Sequence, residues 1–397
     1  MSFTQLWNSL NPIGRTSSGY RRYTWTQPDA ECRAWFITQA QARGLEVVQD
    51  RNGNLWAWWG RPGPGAIATG SHLDSVPDGG AFDGPLGVVS ALAAIDLLRE
   101  RGLTPSRPVA AVAFVEEEGA RFGLACLGSK LLTGVVDPDR ARALTDDDGV
   151  TFAAAMAAAG LDPDGIGADE GLVGSIDAFV ELHVEQGRAL EPLGHALGVA
   201  DSIWPHGRWR FGFVGVPDHA GTARFADRRD PMLPYAATVL ATRRAAQSHG
   251  ALATFGKVIA EPGAANGVSA AVHAWLDARA PDEEALTRTV TTVRSDAEGF
   301  CVEHGVTLSV RQESATPVVR FDPGLRTRIS DVLGGVPVLP TGAGHDAGVL
   351  AARVPTAMLF VRNPTGVSHS PAEYAEPADC EAGVRALAAV LEELACK

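Results

Sequence analysis

Residues 66–74 read Ala66-Ile67-Ala68-Thr69-Gly70-Ser71-His72-Leu73-Asp74. A short apolar run that reads as a buried strand ends in a polar cluster. The same pattern recurs three times. Val109–Val115 runs into Glu116-Glu117-Glu118, Ala178–Leu182 into His183, and Ala357–Val361 into a loop, 363–370, that carries His369. Helical stretches lie between these runs. The clearest is Pro85–Arg101, with proline in its first turn, an apolar body and Gly102 just past its end. Strands alternating with helices predict an α/β domain with a mostly parallel sheet. Ligands in such sheets sit beyond the carboxyl ends of the strands, where all four polar clusters fall.

Residues 206–316 have a different rhythm. Trp209, Phe211 and Phe213 alternate with polar or small residues, as in a half-buried strand. A helix over 231–248, strands over 253–260 and 271–279, a helix over 282–300 and a strand over 306–310 follow. This β-α-β-β-α-β order predicts a ferredoxin-like α+β domain. It interrupts a discontinuous first domain of residues 1–205 and 317–397. The segment 141–170 is acidic and loop-rich, and no function attaches to it.

The composition narrows the function classes. The chain has 397 residues, which suits two or three domains, and 34 Lys+Arg against 47 Asp+Glu, a net charge of −13. Nucleic acid and anionic membrane surfaces need basic faces, so neither is expected as a partner. Five scattered cysteines with no Cys-x-x-Cys spacing argue against a disulfide scaffold and suit a cytoplasmic protein. The N-terminus does not read as a signal peptide, and no apolar run is long enough to span a bilayer.

The chemically informative set is His72, Asp74, Asp83, Glu116, Glu117, His183 and His369. Imidazoles and carboxylates without thiolates suit zinc, manganese or cobalt. Three histidines and two carboxylates suffice for two divalent ions that share one carboxylate. Asp83 suits the bridge. It lies among Gly79, Gly80 and Gly84, and Pro85 opens a helix whose N-terminus favours the ionised form. Asp74, two residues after His72, suits an orienting role. Glu116 and Glu117 point in opposite directions on extended backbone, one to metal and one to substrate. A carboxylate beside bound water serves as general base and then as proton donor to the leaving nitrogen. Taken singly, each histidine is more often structural and an acidic triplet more often solvated surface. Four matched groups at four strand ends tip the balance towards a dimetal site.

Seven segments carry a resemblance: Gly70-Ser-His-Leu-Asp-Ser-Val, Gly79-Gly-Ala-Phe-Asp-Gly-Pro-Leu-Gly, Glu116-Glu-Glu-Gly-Ala-Arg-Phe, Glu181-Leu-His-Val-Glu-Gln-Gly, Asp218-His-Ala-Gly-Thr, Gly342-Ala-Gly-His-Asp-Ala and Val367-Ser-His-Ser-Pro-Ala-Glu. In this order, over nearly the whole chain, they resemble the hydantoinase/carbamoylase family of metal-dependent amidohydrolases, within the aminoacylase and carboxypeptidase-like clan. The resemblance implies that His72, Asp83 and His183 hold one ion, and that Asp83, Glu117 and His369 hold the other. Glu116 would be the general base. His219 would reach across a homodimer and steady the oxyanion in the partner's site. Arg279 would grip the substrate carboxylate, with Asn266, Arg208, Gly344 and His345 as further contacts, and the inserted domain would act as lid and dimerisation domain. Three places depart from the family: Asn266-Gly-Val-Ser, Asp218 before His219, and Thr222-Ala223-Arg224 after the His-Ala-Gly. All lie near the side-chain end of the substrate.

The expected function is hydrolysis of the ureido C–N bond of a small carboxylate, such as allantoate or an N-carbamoyl-L-amino acid, with release of ammonia and carbon dioxide. An aminoacylase or dipeptidase acting on acyl amides is the nearest alternative, and a non-catalytic ligand-binding module the alternative of another class.

Overall fold

Ala66–His72 is buried at every residue, as are Val109–Phe114 and Thr356–Val361. Ile176–Val184 is buried except at Asp177. These four strands are parallel neighbours. Ala66–His72 lies between Val109–Phe114 and Ile176–Val184, and Thr356–Val361 pairs with the far side of Ile176–Val184. Strands covered on both faces read as unbroken apolar runs, which is why the sequence displays them.

The computed structural model describes residues 2–397, in two compact units. One comprises the residues up to Asp201 together with Arg320–Lys397, and the other is Ser202–Val319. The large sheet of the first unit has nine strands, in the order Glu46–Gln49, Leu55–Trp59, Val109–Phe114, Ala66–His72, Ile176–Val184, Thr356–Val361, Leu197–Ile203, Val319–Arg320, with Val338–Thr341 also paired to Leu197–Ile203. Its flanks are antiparallel. The sheet is therefore mixed, with a parallel centre, rather than mostly parallel. The first two strands are joined by a short turn, which permits only antiparallel pairing. The Asp50 carboxylate holds that turn by accepting the Asn52 and Asn54 N–H groups.

Long helices pack on one face of the sheet. Pro85–Glu100 and Pro377–Ala395 pack Leu86, Leu98, Leu387 and Leu391 against Ile67, Val180 and Leu359. Gln27–Ala42 places Trp35 and Phe36 in a second core with Leu55, Leu92 and Ile95. The acidic segment 141–170 has an anchor of its own, with Phe152, Ala155 and Met156 packed beside Phe122 and Leu131.

In the second unit, His206–Val214, Leu252–Glu261, Ala271–Arg279 and Thr307–Thr316 form one antiparallel sheet. The order across it is Thr307–Thr316, His206–Val214, Ala271–Arg279, Leu252–Glu261. Helices Met232–His249 and Glu283–His304 complete the β-α-β-β-α-β chain. Phe211, Phe213, Val272 and Leu276 of the sheet pack against Val293, Ala297 and Cys301. The last strand runs past Val310 because its second half, on a sheet edge, is largely exposed and polar and carries no apolar signal.

Candidate metal centre

The four polar clusters meet at the carboxyl ends of the four parallel strands. His72 is the last residue of its strand, and His183 lies one residue before the end of its own. Both imidazoles are fully buried. The Nδ1 of His72 lies 3.1 Å from the Asp74 carbonyl oxygen, and the Nδ1 of His183 lies 2.9 Å from the Val184 carbonyl oxygen. A carbonyl only accepts, so each Nδ1 carries the proton and each Nε2 presents a lone pair. Neither Nε2 has a hydrogen-bond partner. Both face one oxygen: Asp83 Oδ1 lies 3.5 Å from His72 Nε2 and 3.2 Å from His183 Nε2. Two buried lone pairs aimed at one carboxylate oxygen call for positive charge between them, which a proton on His183 supplies to one ring and a metal ion to both.

The other oxygen of Asp83 serves a second group. Its Oδ2 lies 3.4 Å from His369 Nε2, which in turn lies 3.4 Å from Glu118 Oε2. Three sets of residues converge as groups that could ligate metal; His72–Asp83–His183 and Asp83–Glu118–His369 share Asp83, and Glu181–His183–His345 shares His183. Gln186 Nε2 donates to Asp83 Oδ2 at 2.7 Å. Gly84, at φ +83°, leaves the space that the His72 ring fills; a Cβ there would lie 2.4 Å from the ring.

The acidic triplet differs from the expectation by one residue. Glu118, not Glu117, stands with Asp83 and His369. Glu117 Oε2 lies 3.7 Å from His72 Nε2, and its Oε1 accepts the Cys126 thiol at 3.2 Å. Glu116 does not face the cluster, because its Oε1 accepts the N–H groups of Arg121 and Phe122 at 3.0 and 2.7 Å. The cause is local. Glu116 adopts φ +52°, which ends the extended strand and cancels the alternation that the sequence reading relied on. Asp74 holds the turned segment, accepting Glu117 N–H at 3.2 Å and Glu118 N–H at 3.0 Å, while its Oδ1 lies 3.5 Å from His72 Nδ1.

Charge is concentrated here. Burial, then the charges of Glu118, Asp74 and Asp83 acting against His72, push Glu117 up to about 8. Burial opposes ionisation of Asp83, but His183, His369 and His72 outweigh it and hold its carboxyl well below the usual range. Burial likewise opposes charging of His183, yet Asp83 and Glu181 raise it to about 9. A divalent cation would relieve the crowding of Asp74, Asp83, Glu117 and Glu118.

The remaining expected residues divide between the units. His345 is buried edge-on to His183, their rings 4.5 Å apart, and Gly344 beside it is exposed. Within the second unit, His219 pairs with Gly267, and Asn266 O accepts the Ala220 N–H at 3.0 Å, so His219 and Asn266 are neighbours. The Nδ1 of His219 accepts the Gly221 N–H at 3.1 Å, which leaves Nε2–H as a donor. Arg279 and Arg208 lie near the other end of the Ala271–Arg279 strand, Arg279 opposite His206 and Arg208 opposite Asp277. Arg279 Nε donates to Asp277 at 2.8 Å. The sequence reading did not assign Glu118, Gln186, Ser368 or Glu373. Each lies inside a motif already singled out, within four residues of an assigned residue.

Residues 68–393 match the peptidase family M20/M25/M40, and the chain belongs to it. It is a hydrolase acting on C–N bonds. It is 35% identical to the N-carbamoyl-L-amino acid amidohydrolase of Geobacillus stearothermophilus over 98% of each chain. It is 33% identical to the allantoate amidohydrolase of Escherichia coli, over 96% of this chain and 94% of that one. Its structure resembles a hydantoinase/carbamoylase family amidase of Burkholderia vietnamiensis, with a TM-score of 0.88 and 31% identity over 100% of this chain and 98% of that one. No described helix is long and apolar enough to cross a membrane.

Proposed function

We propose that the protein hydrolyses the ureido C–N bond of a small carboxylate, with allantoate and N-carbamoyl-L-amino acids as the leading substrates. The observation that carries this reading is the split of Asp83, one oxygen towards His72 and His183 and the other towards His369. Relatives of nearly full length named for ureido substrates support the choice of bond. His72, Asp83 and His183 would hold one divalent ion, and Asp83, Glu118 and His369 the other; zinc, manganese and cobalt all suit this donor set. When bound, the ions supply Lewis-acid activation of water and carbonyl.

The chain's own residues do the rest. Glu117, free of the second ligand set, takes the proton of the attacking water and returns it to the departing nitrogen. The His219 Nε2–H donates to the developing oxyanion. Arg279 grips the substrate carboxylate, for which the guanidinium fork is suited. Water adds to the ureido carbonyl and the C–N bond breaks. The free amine leaves, and the carbamate falls apart into carbon dioxide and ammonia.

The enzyme is proposed to work as a homodimer, and the second unit supports this. His219 pairs beside the start of the strand that Arg279 ends, and eight residue steps at about 3.3 Å amount to roughly 26 Å. One small substrate spans no such distance, so these two residues serve it from different chains. Leu240 and Leu252 are about two-thirds exposed on the helix and the edge strand, and Val258 and Ile259, further along that strand, are nearly half exposed. A second copy of the chain would cover these side chains. The free thiols suit a cytoplasmic enzyme.

The test is ammonia release from a panel of ureido and N-acyl amino acids with added manganese, cobalt or zinc. Turnover of acyl amides without ureido compounds would replace this reading with an aminoacylase.

A further inference from the structure

We propose that Glu373 is a positioning residue that couples the two metal half-sites, so that binding of the second ion depends on it. The inference rests on the two-metal reading. Glu373 lies four residues beyond His369, yet its Oε2 accepts the N–H groups of Phe82 and Asp83 at 2.8 and 3.0 Å, across some 290 residues of chain. It is nearly fully buried. Its other oxygen, Oε1, accepts the Ser368 hydroxyl at 3.3 Å, and that hydroxyl also lies 3.3 Å from Asp83 Oδ2. One carboxylate therefore grips the backbone of the bridging ligand with one oxygen and the neighbour of His369 with the other.

The loop it steadies needs an anchor. His369 adopts φ +54° and its side chain is half exposed, unlike the buried His72 and His183. Asn363 ties the base of that loop by accepting the Thr365 and Gly366 N–H groups. Beyond Val367, the links back to Asp83 run through Ser368, Gln186 and Glu373, and only Glu373 reaches the Asp83 backbone. The opposite side of the contact is cut to fit. A Cβ on Gly80 would lie 2.3 Å from Glu373 Oε2 and 2.5 Å from its Cβ, so only glycine lets the carboxylate reach the 82–83 backbone. The half-site of His72 and His183 shares Asp83, but both of its imidazoles are held by the Asp74 and Val184 carbonyls, which do not involve Glu373.

Removing Glu373 therefore frees the 82–83 backbone and the Ser368 side of the His369 loop from their common anchor, while the His72 and His183 imidazoles keep theirs. Outer-shell partners of metal ligands change affinity about 10–100-fold when lost. The experiment is calorimetric titration of the metal-free, full-length protein with Mn²⁺, for the wild type, Glu373→Ala, Glu373→Gln and Gly80→Ala. The wild type should bind two ions. Glu373→Ala should bind the first normally and the second at least tenfold more weakly. Glu373→Gln keeps an oxygen for the two N–H groups and should recover most of that loss. Gly80→Ala should imitate Glu373→Ala and add nothing to it in the double variant. A merely structural role would weaken both ions in proportion, and that result, or unchanged binding of both ions, overturns the proposal. A wild type that binds one ion overturns the two-metal reading, and the coupling falls with it.

Discussion

The metal cluster of the first unit and the polar residues of the second are built in opposite ways. His72, Asp83 and His183 are buried, and carbonyl or amide groups fix both imidazole tautomers and one Asp83 oxygen. His219 and Asn266 are exposed on a two-residue ladder, and Arg208 and Arg279 lie towards the far end of the sheet. Groups fixed inside one chain are ready to bind ions without help. Groups spread over an exposed sheet converge only when another surface completes them. On the proposed function, the first unit would hold metal and the second would bring recognition from two chains.

The largest expected effect tests roles inside the acidic triplet. Glu117→Gln should leave metal content intact and reduce kcat by about 10³-fold or more, within the 10²–10⁴ range of a lost general base. Glu116→Gln keeps an oxygen for the Arg121 and Phe122 N–H groups and should cost about tenfold or less. Steady-state kinetics beside metal analysis distinguishes them. A Glu116→Gln enzyme as inactive as Glu117→Gln, with its ions retained, would return the base to Glu116.

The second effect tests whether recognition crosses between chains. His219→Ala should lower kcat about 10²–10³-fold, as for a lost oxyanion donor. Mixed with equal amounts of Glu117→Gln, it should regain about a quarter of wild-type activity. Half of the dimers are then mixed, and each of those has one intact site. With subunit exchange confirmed, absence of recovery confines His219 to its own chain.

How much of this was legible in the sequence follows from the same contrast. The four central strands announce themselves because burial on both faces demands unbroken apolar runs, and each ends at its polar cluster. His72, His183 and His369 were singled out for that reason, and Asp83 for the glycines around it. Glu117 was expected where the structure brings Glu118, because alternation holds only on extended backbone and nothing in three identical residues marks the left-handed turn at Glu116. Glu373 was invisible as a partner of Asp83, since no local pattern reports a contact made over 290 residues. At the antiparallel edge, Glu46–Gln49 is short and largely exposed and so carries no apolar signal.

Metal removal should separate the units thermally. Chelation should abolish turnover and destabilise the first unit by about 2.7 kcal/mol relative to protein held at a hundredfold excess over Kd. Hydrogen exchange should quicken over Ala66–His72 and Ile176–Val184 and stay unchanged over Ala271–Arg279. Equal quickening in both units would mean that the second unit, too, depends on the ions.

The smallest effect concerns a buried acid of the first unit that touches none of the proposed ligands. Asp29 Oδ2 accepts the Trp25 N–H at 2.8 Å. Burial, only partly offset by Arg33 and that hydrogen bond, raises its pKa to about 6. An unfolded aspartate titrates near about 3.9, so the folded state binds the proton more tightly. The stabilisation is fully present below about pH 4 and is lost as the pH rises through about 6. Asp29→Asn retains an acceptor for Trp25 and never ionises. Relative to this variant, the wild type should lose about 1–3 kcal/mol of stability between pH 4 and pH 7. Urea unfolding of the metal-free proteins at both pH values measures it, free of changes in metal affinity. A difference that is flat or grows with pH would mean that Asp29 is ionised in the fold and held by Arg33, making it one more fixed charge of the first unit.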